Sequence, residues 1–212
     1  MNGTDSEHIS KIPVAIIDIF AAHQMKEAIL LAMWKKATTH KGSVIHVSLY
    51  KSAVSGLANQ ASNYLNANHV PQPIGTLHPN IAPYGDLFTS KDNIKFLLAV
   101  GSDDQFKKLW FALNMDQTAY LNFEKNSDRV QSRCALQQIM QQIMSKLRFS
   151  EIEQKICAIN VPFCKILSLN EVFENPIAQD MALQNDTIES SKYYISNIAF
   201  ELINDSSGHR PI

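Results

Sequence analysis

The sequence has few of the features that mark secreted, membrane-spanning or disulfide-rich proteins. Its 212 residues include only three cysteines, at positions 134, 157 and 164, an odd and scattered set that suits a reducing cytosol. The first residues, Met1–His8, are polar and acidic, so they do not form an ordinary secretory signal. No run approaches the roughly 18 apolar residues that span a bilayer. These absences predict a soluble, cytoplasmic protein.

Charge of one sign is also lacking. Nineteen lysines and arginines nearly balance 20 aspartates and glutamates, which leaves a formal net charge of −1. Without a broad electrostatic field, we expect neither nucleic acid nor a membrane as a partner, and favour small molecules or proteins. No repeat or low-complexity tract interrupts the chain, and its 45% hydrophobic content is typical of a globular fold.

The pattern of apolar residues predicts a mixed α/β chain. A helix is predicted from Ile19 to Thr39, then a strand at Val44–Leu49 and a helix from Tyr50 to about Leu65. Four prolines exclude regular structure between residues 66 and 84. A hairpin is predicted at 86–89 and 94–100, followed by helices at 103–113 (capped by Ser102 or Asp103), 128–147 and 150–159 (ended by Asn160). A strand is predicted at 163–167, a helical turn at 170–174 and a short helix from Pro176. A polar stretch then runs through Ser191, and the tail from Ser206 has no pattern.

These elements predict four regions. Residues 1–66 form part of a larger domain, because one helix-strand-helix segment covers only part of a parallel sheet. Residues 67–84 form a linker and loop, residues 85–175 a small α+β domain, and residues 176–212 a return linker and C-terminal tail.

Asp18 is the candidate catalytic residue. It interrupts the apolar run Val14–Phe20 just before the long helix. Burying an ionised carboxylate is costly unless it is paired or hydrogen-bonded, so its presence in such a run needs a reason. A helix N-cap is the alternative explanation, because a carboxylate at a helix start satisfies free backbone N–H groups. The two roles are compatible.

Several stretches together resemble the family III CoA-transferases, a group that includes formyl-CoA and carnitine CoA-transferases and the related α-methylacyl-CoA racemases. They are Ile45–Leu65 (beginning Ile-His-Val-Ser-Leu and containing Leu-Ala-Asn-Gln-Ala), Gly75–Tyr84, Leu98–Phe106 and Asn126–Val130. The resemblance implies an α/β fold, with a partial Rossmann-like segment of the large CoA-transferase domain followed by a smaller α+β domain.

The resemblance also implies a role for Asp18. In that family an aspartate before a long helix attacks acyl-CoA, forming an acyl-aspartyl anhydride and then an aspartyl-CoA thioester that passes CoA to an acceptor acid. Asp18, followed by Thr39–Gly42 and Val44–Leu49, matches this order. Covalent catalysis divides one difficult transfer into easier steps, and a dehydrated site protects an anhydride. No cofactor is implied apart from coenzyme A as the substrate carrier.

Residues Gly75–Asn80 correspond to the glycine-rich loop that covers the active site in that family. The implied substrate-binding residues are Gly75, Thr76, His78, Asn80 and Asp86. A structural interpretation stays open for two of them: His78 in a turn held by its own hydrogen bonds, and Asp86 at the start of a strand. No metal site is predicted, because the cysteines have no partner at ligand spacing.

The sequence departs from the family in several places. Ala21-Ala22 replaces a Thr-Gly pair, His40 replaces a glycine, and Val161–Cys164 lacks a following glycine. Members of the family are about twice as long, with the additional part preceding Ile12. We therefore expect a CoA-transferase, acting on an acyl-CoA and a carboxylic acid, that needs a complementary N-terminal chain. The family's interlocked dimers imply a homodimer. The alternatives are a non-catalytic interaction module, an inactive remnant of the same fold, or an acyl-CoA racemase.

Overall fold

The structure, a computed structural model, describes residues 2–186 and 191–201 as helices and small antiparallel sheets. Its elements are α1 (Ile16–Thr39), α2 (Leu49–Ser55), α3 (Asn59–Ala67), β1 (Tyr84–Thr89), β2 (Lys95–Ala99), α4 (Asp103–Ala112), α5 (Gln117–Tyr120), α6 (Asn126–Gln131), α7 (Arg133–Met144), α8 (Phe149–Ala158), β3 (Phe163–Lys165), α9 (Leu169–Val172), α10 (Pro176–Asp180), β4 (Ala182–Asp186) and β5 (Ser191–Ile195). The chain divides into two compact units, residues 1–164 and 165–212.

The core of the first unit lies on the β1–β2–β3 sheet. Strands β1 and β2 pair antiparallel, with Phe88 opposite Phe96, and both rings are fully buried. Helices α4, α7 and α8 each contribute a buried row at helical spacing, which explains why their sequences form helices packed through one face. These rows are Phe106, Leu109 and Trp110; Leu136, Met140 and Met144; and Phe149, Ile152 and Ile156.

Several predictions for this unit are confirmed. The hairpin forms around residues 90–93, and α4 begins after Ser102, whose hydroxyl accepts a hydrogen bond of 3.2 Å from the Gln105 N–H. Asn160 follows α8 with a φ of 53°, the left-handed conformation that asparagine tolerates after a helix.

The predicted strand at Val44–Leu49 is wrong. Residues 40–48 form neither helix nor strand, and α2 already begins at Leu49. A strand needs a neighbouring strand for its hydrogen bonds, and no strand in the described ranges pairs with this segment. The helix predicted from Tyr50 to Leu65 is divided into α2 and α3, and the helix predicted at 128–147 is divided into α6 and α7 at Ser132.

Helix α1 is confirmed, three residues longer at its start than predicted, but it contributes no buried residue. Its large apolar side chains are exposed on several sides; Leu30, Leu31, Met33 and Trp34 are each more than 60% exposed. Among the described elements, α2 contacts α1, and the Phe20 ring of α1 lies against Gly56, the residue that follows α2. An apolar surface on several sides is typical of a helix that is buried when its neighbours are present.

The second unit contains α9, α10 and the β4–β5 hairpin. The sequence predicted the two helical segments but not the hairpin. In β4–β5, Leu183 lies opposite Tyr194. The N–H of Ser168, the N-cap of α9, donates to the Glu171 carboxylate at 2.8 Å. Hydrogen bonds from Ser168 and Lys165 lower the pKa of Glu171 to about 2. The predicted helix start at Pro176 is confirmed. The tail predicted from Ser206 lies outside the described residues.

In the described part of the chain, none of the helices combines the length and the apolarity needed to cross a membrane.

Candidate active site

Asp18 lies in the first turn of α1 and is exposed to solvent. The apolar residues around it therefore do not bury it in this chain. It is also not the N-cap, because Ala15 occupies that position and no side chain caps the helix. No hydrogen bond or ion pair from residues 2–186 or 191–201 reaches its carboxylate. The first turn is the positive end of the helix dipole, which stabilises negative charge.

The residues that precede β1 form a loop, called the 75–82 loop below, whose backbone is held by side chains of α6 and α7. Arg133 and Asn126 each make two of these contacts. Nη2 of Arg133 donates to the carbonyl oxygens of His78 at 2.6 Å and Ile81 at 2.9 Å, and its Nη1 lies 3.4 Å from the Asp86 carboxylate. One guanidinium therefore joins two backbone positions of the loop to the first strand of the sheet.

Asn80 joins the loop to helices on both sides. Its side-chain amide pairs with that of Asn63 in α3, at 2.9 and 3.3 Å. Asn126 in α6 donates to the Asn80 carbonyl at 2.8 Å and accepts from the Ala82 N–H at 3.1 Å. The Asn80 side chain is exposed, so it can also meet a ligand.

Arg129 fixes the end of the loop from inside the core. It is fully buried and lies over the Phe106 ring at 4.3 Å. Its acceptors are the carbonyls of Ala82 (2.6 Å), Phe123 (3.0 Å) and Glu124 (2.8 Å) and the Asp103 carboxylate (2.6 Å). These bonds satisfy a buried guanidinium that would otherwise be strongly destabilising.

His78 has a defined orientation within the loop. The Asn80 N–H donates to its Nδ1 at 3.2 Å, so the neutral ring carries its proton on Nε2. Nε2 lies 3.5 Å from Nδ2 of Asn59, which is also a donor and does not accept that proton. Its edge meets Tyr84, with 5.2 Å between ring centroids. Burial lowers the pKa of His78, and the nearby positive charge of Arg133 lowers it further. The ring is therefore a neutral hydrogen-bonding group at pH 7.

Gly85 and Asp86 lie in β1 beside the loop, and Gly75 lies within the loop. Asp86 is 1% exposed; burial raises its pKa, and the Arg133 charge only partly offsets this. Gly85 has a φ of 78° and a Cβ there would collide with the Thr76 carbonyl oxygen, so only glycine lets β1 pass the loop so closely. Gly75 and Thr76 are exposed.

The structure thus brings His78 and Asp86 together around Arg133, with Asn80 in the same loop. It joins Asp18 to none of them by a hydrogen bond or ion pair among the described residues. The substrate-binding roles stay predictions. Sequence reasoning missed the holding side chains, although Asn126 and Arg129 lie in a stretch used for the family resemblance. Asn126 and Arg129 are three residues apart in α6, the spacing of neighbours on one helical face, whereas Arg133 lies in α7.

Two open cavities lie beside these residues. The first, of about 490 Å³, is lined by Asn2, Gln60, His69, Pro71, Gln72, Ile74, Gly75, Leu77, Pro79, Val130 and Arg133. The second, of about 400 Å³, is almost wholly apolar and is lined by Val54, Leu57, Gln60, Ala61, Tyr64, Leu65 and Pro71. Both have the size of small-molecule sites. The Gly75 N–H donates to the Gly3 carbonyl at 2.8 Å, which brings the N-terminal residues beside the first cavity. Within the described ranges, no three His, Cys, Asp or Glu side chains converge as metal ligands.

Sequence comparison identifies similar proteins. The family model described as CoA-transferase family III matches residues 1–202. The chain is 27% identical over 146 residues to an acetyl-CoA:oxalate CoA-transferase from Acetobacter aceti, covering 68% of this chain and 37% of that protein. It is 19% identical over 168 residues to a succinyl-CoA–D-citramalate CoA-transferase from Chloroflexus aurantiacus, covering 79% of this chain and 42% of the relative.

Solved structures share the fold. A CAIB/BAIF family protein from Brucella suis is 31% identical with a TM-score of 0.66, covering 94% of this chain and 52% of that one. Rv3272 from M. tuberculosis, in an orthorhombic crystal form, is 19% identical with a TM-score of 0.73, with the same coverage of both chains. These neighbours confirm the predicted mixed α/β fold. The chain spans about half the length of the solved structures it matches, and its matches span less than half of the two named transferases.

Proposed function

The chain belongs to CoA-transferase family III, and we propose that it serves to move CoA between an acyl-CoA and a carboxylic acid, with Asp18 as the nucleophile. The observation that carries the proposal is the state of the Asp18 carboxylate. It is exposed, has no hydrogen-bonding or ionic partner among the described residues, and lies in the first turn of α1. A carboxylate without such partners keeps its lone pairs available for attack.

The proposed reaction proceeds in balanced steps. An oxygen of Asp18 attacks the thioester carbonyl, CoA leaves as thiolate, and an acyl-aspartyl anhydride forms. The thiolate then attacks the aspartyl carbonyl, which releases the first carboxylate and leaves an aspartyl-CoA thioester. The acceptor carboxylate attacks this thioester to give a second anhydride and free thiolate, and the thiolate attacks its acyl carbonyl, yielding the new acyl-CoA and regenerating Asp18.

The 75–82 loop is proposed to contact the acyl group and to exclude water from these intermediates, which hydrolyse readily. Gly75, Thr76 and Asn80 support this proposal because they are exposed, and the His78 ring supports it as a neutral donor held in one orientation. The oriented backbone of the loop supplies further hydrogen-bonding groups.

A complementary N-terminal chain is proposed to complete the enzyme, and the complex to form a homodimer. The exposed apolar side chains of α1 support a covering partner, since a soluble protein seldom leaves so large an apolar surface open. Light scattering of the purified chain, alone and with a candidate N-terminal chain from a neighbouring reading frame, tests both interactions.

The nucleophile is tested by trapping. The chain is mixed with an acyl-CoA, with and without the candidate N-terminal chain, and searched by mass spectrometry for a CoA adduct on Asp18. Asp18→Asn is expected to abolish the adduct and transfer. Glu27→Gln is the matched control, because Glu27 is another exposed carboxylate of the same helix. Absence of an adduct in the active complex, together with unchanged transfer by Asp18→Asn, would refute the assignment.

A non-catalytic interaction module is the second candidate, favoured by the same exposed apolar side chains of α1. It predicts a stable complex with the N-terminal chain that has no transferase activity. The trapping experiment separates the two, because an adduct on Asp18 in the complex is compatible only with the catalytic proposal.

A further inference from the structure

Arg133 is the side chain through which α7 reaches the 75–82 loop. We propose that Arg133 is a positioning residue that holds the backbone of residues 78–81 in the shape the transfer reaction requires, with Asp86 as its buried counter-charge. The kinetic part of this inference rests on the proposed function, whereas the structural part does not.

The contacts of Arg133 require the forked shape of arginine. One terminal nitrogen binds two carbonyls three residues apart, and the other faces the Asp86 carboxylate. A guanidinium presents its donors in a fixed plane, so these three contacts fix the loop relative to β1. A lysine carries the same charge without that plane.

The position of Arg133 differs from that of Arg129. Arg129 is fully buried and joins segments of the core, whereas the Arg133 side chain is 13% exposed and lines the cavity of about 490 Å³. Gly75, Leu77 and Pro79 line the same cavity. A change at Arg133 therefore moves the wall of a candidate ligand site as well as the loop.

Loss of Arg133 alone has two effects that must be separated. It frees the loop carbonyls, and it also leaves Asp86 buried without a counter-charge, which destabilises the fold. The double variant Arg133→Gln/Asp86→Asn removes the stranded charge but does not restore the loop contacts. Arg133→Lys keeps the charge but loses the fork. These two variants distinguish positioning from charge pairing.

The structural test uses the whole 212-residue chain and the NMR titration of the His78 ring. In Arg133→Lys the positive charge remains, so a pKa of His78 closer to the ordinary histidine value reports a loosened, more solvated loop. We expect this rise in Arg133→Lys; in the double variant the loss of the Arg133 charge raises the pKa of His78 by itself, so its readouts are stability and transfer. We also expect the double variant to be more stable to urea than Arg133→Gln. Arg148→Gln, at an exposed arginine, is the matched control and should titrate as wild type does.

The kinetic test uses the complex with the N-terminal chain. Because misplacement by about 1 Å can cost on the order of 100-fold in rate, we expect Arg133→Lys and the double variant to lose about 10- to 100-fold in kcat. Hydrolysis of acyl-CoA should rise relative to transfer, with little change in KM for the acyl-CoA. Arg148→Gln should keep wild-type kinetics.

Wild-type His78 titration and wild-type transfer by Arg133→Lys would overturn the proposal, and so would a double variant that recovers both wild-type stability and wild-type transfer. These results would leave Arg133 only as the charge partner of Asp86. If the wild-type complex transfers no CoA, the proposed function fails, but the NMR titration still decides whether Arg133 positions the loop.

Discussion

Replacement of Arg129 by methionine is the sharpest test of the packing that supports the loop. Methionine fills a similar volume and can contact the Phe106 ring, but it donates no hydrogen bond. Four bonds are lost. Two of them, to the carbonyls of Ala82 and Phe123, are fully buried, so these oxygens lose their partner without gaining water.

The magnitude follows from those two carbonyls. Each buried acceptor left without a partner costs about 1–3 kcal/mol. The Asp103 carboxylate is 56% exposed and Glu124 lies at the surface, so water replaces most of what they lose. We therefore expect Arg129→Met to lower the free energy of unfolding by about 2–6 kcal/mol, twice the cost of one such carbonyl.

The assay is urea denaturation followed by fluorescence of Trp110, which is fully buried in the same core. With an m-value of about 2 kcal/mol/M, the midpoint should fall by roughly 2 M. Arg148→Met makes the same chemical change at an exposed arginine and should stay within about 0.5 kcal/mol of wild type. A loss below about 1 kcal/mol for Arg129→Met would refute the reasoning.

Two further predictions concern single contacts of the first unit. Ser102→Ala removes the cap of α4, where the hydroxyl accepts from Gln105, and should cost about 1 kcal/mol in urea denaturation; an unchanged midpoint would contradict this. Burial raises the pKa of Asp86 above its ordinary 3.8, so the folded state holds that proton more tightly and wild-type stability falls as pH rises from 3.8 through the raised pKa. Asp86→Asn lacks this ionisation, so its unfolding free energy relative to wild type should increase as pH rises above 3.8; a difference independent of pH would contradict the assignment.

Local signals predicted the parts of the fold that depend on local chemistry. The hairpin follows from a turn at Ser90–Asn93 between two apolar runs, the start of α4 from Ser102, and the end of α8 from Asn160. Each is decided within about five residues of the chain, by turn or capping groups that the sequence shows directly.

Features that depend on distant neighbours could not be predicted in this way. The β-branched residues at 44–47 favour a strand, but a strand forms only beside a partner. Ala58 adopts a φ of 47°, which divides the predicted second helix although alanine disfavours that conformation.

The candidate site also combines features that the local sequence predicts with features that depend on distant residues. Asp18 was expected at the start of a long helix and lies there, but its exposure depends on which elements cover α1, and a local apolar run does not reveal them. The contacts of Arg133 with His78 and Ile81 join residues 55 and 52 positions apart. No spacing pattern within one helix identifies such acceptors, so the residue remained unassigned until the loop and α7 were placed together.

The bond between the Gly75 N–H and the Gly3 carbonyl has a practical consequence for protein production. Asn2 lines the cavity of about 490 Å³ beside Arg133, so an affinity tag fused to the N-terminus would emerge next to the residues that the assays probe. A cleavable tag, removed before binding or NMR measurements, leaves that neighbourhood free of added residues.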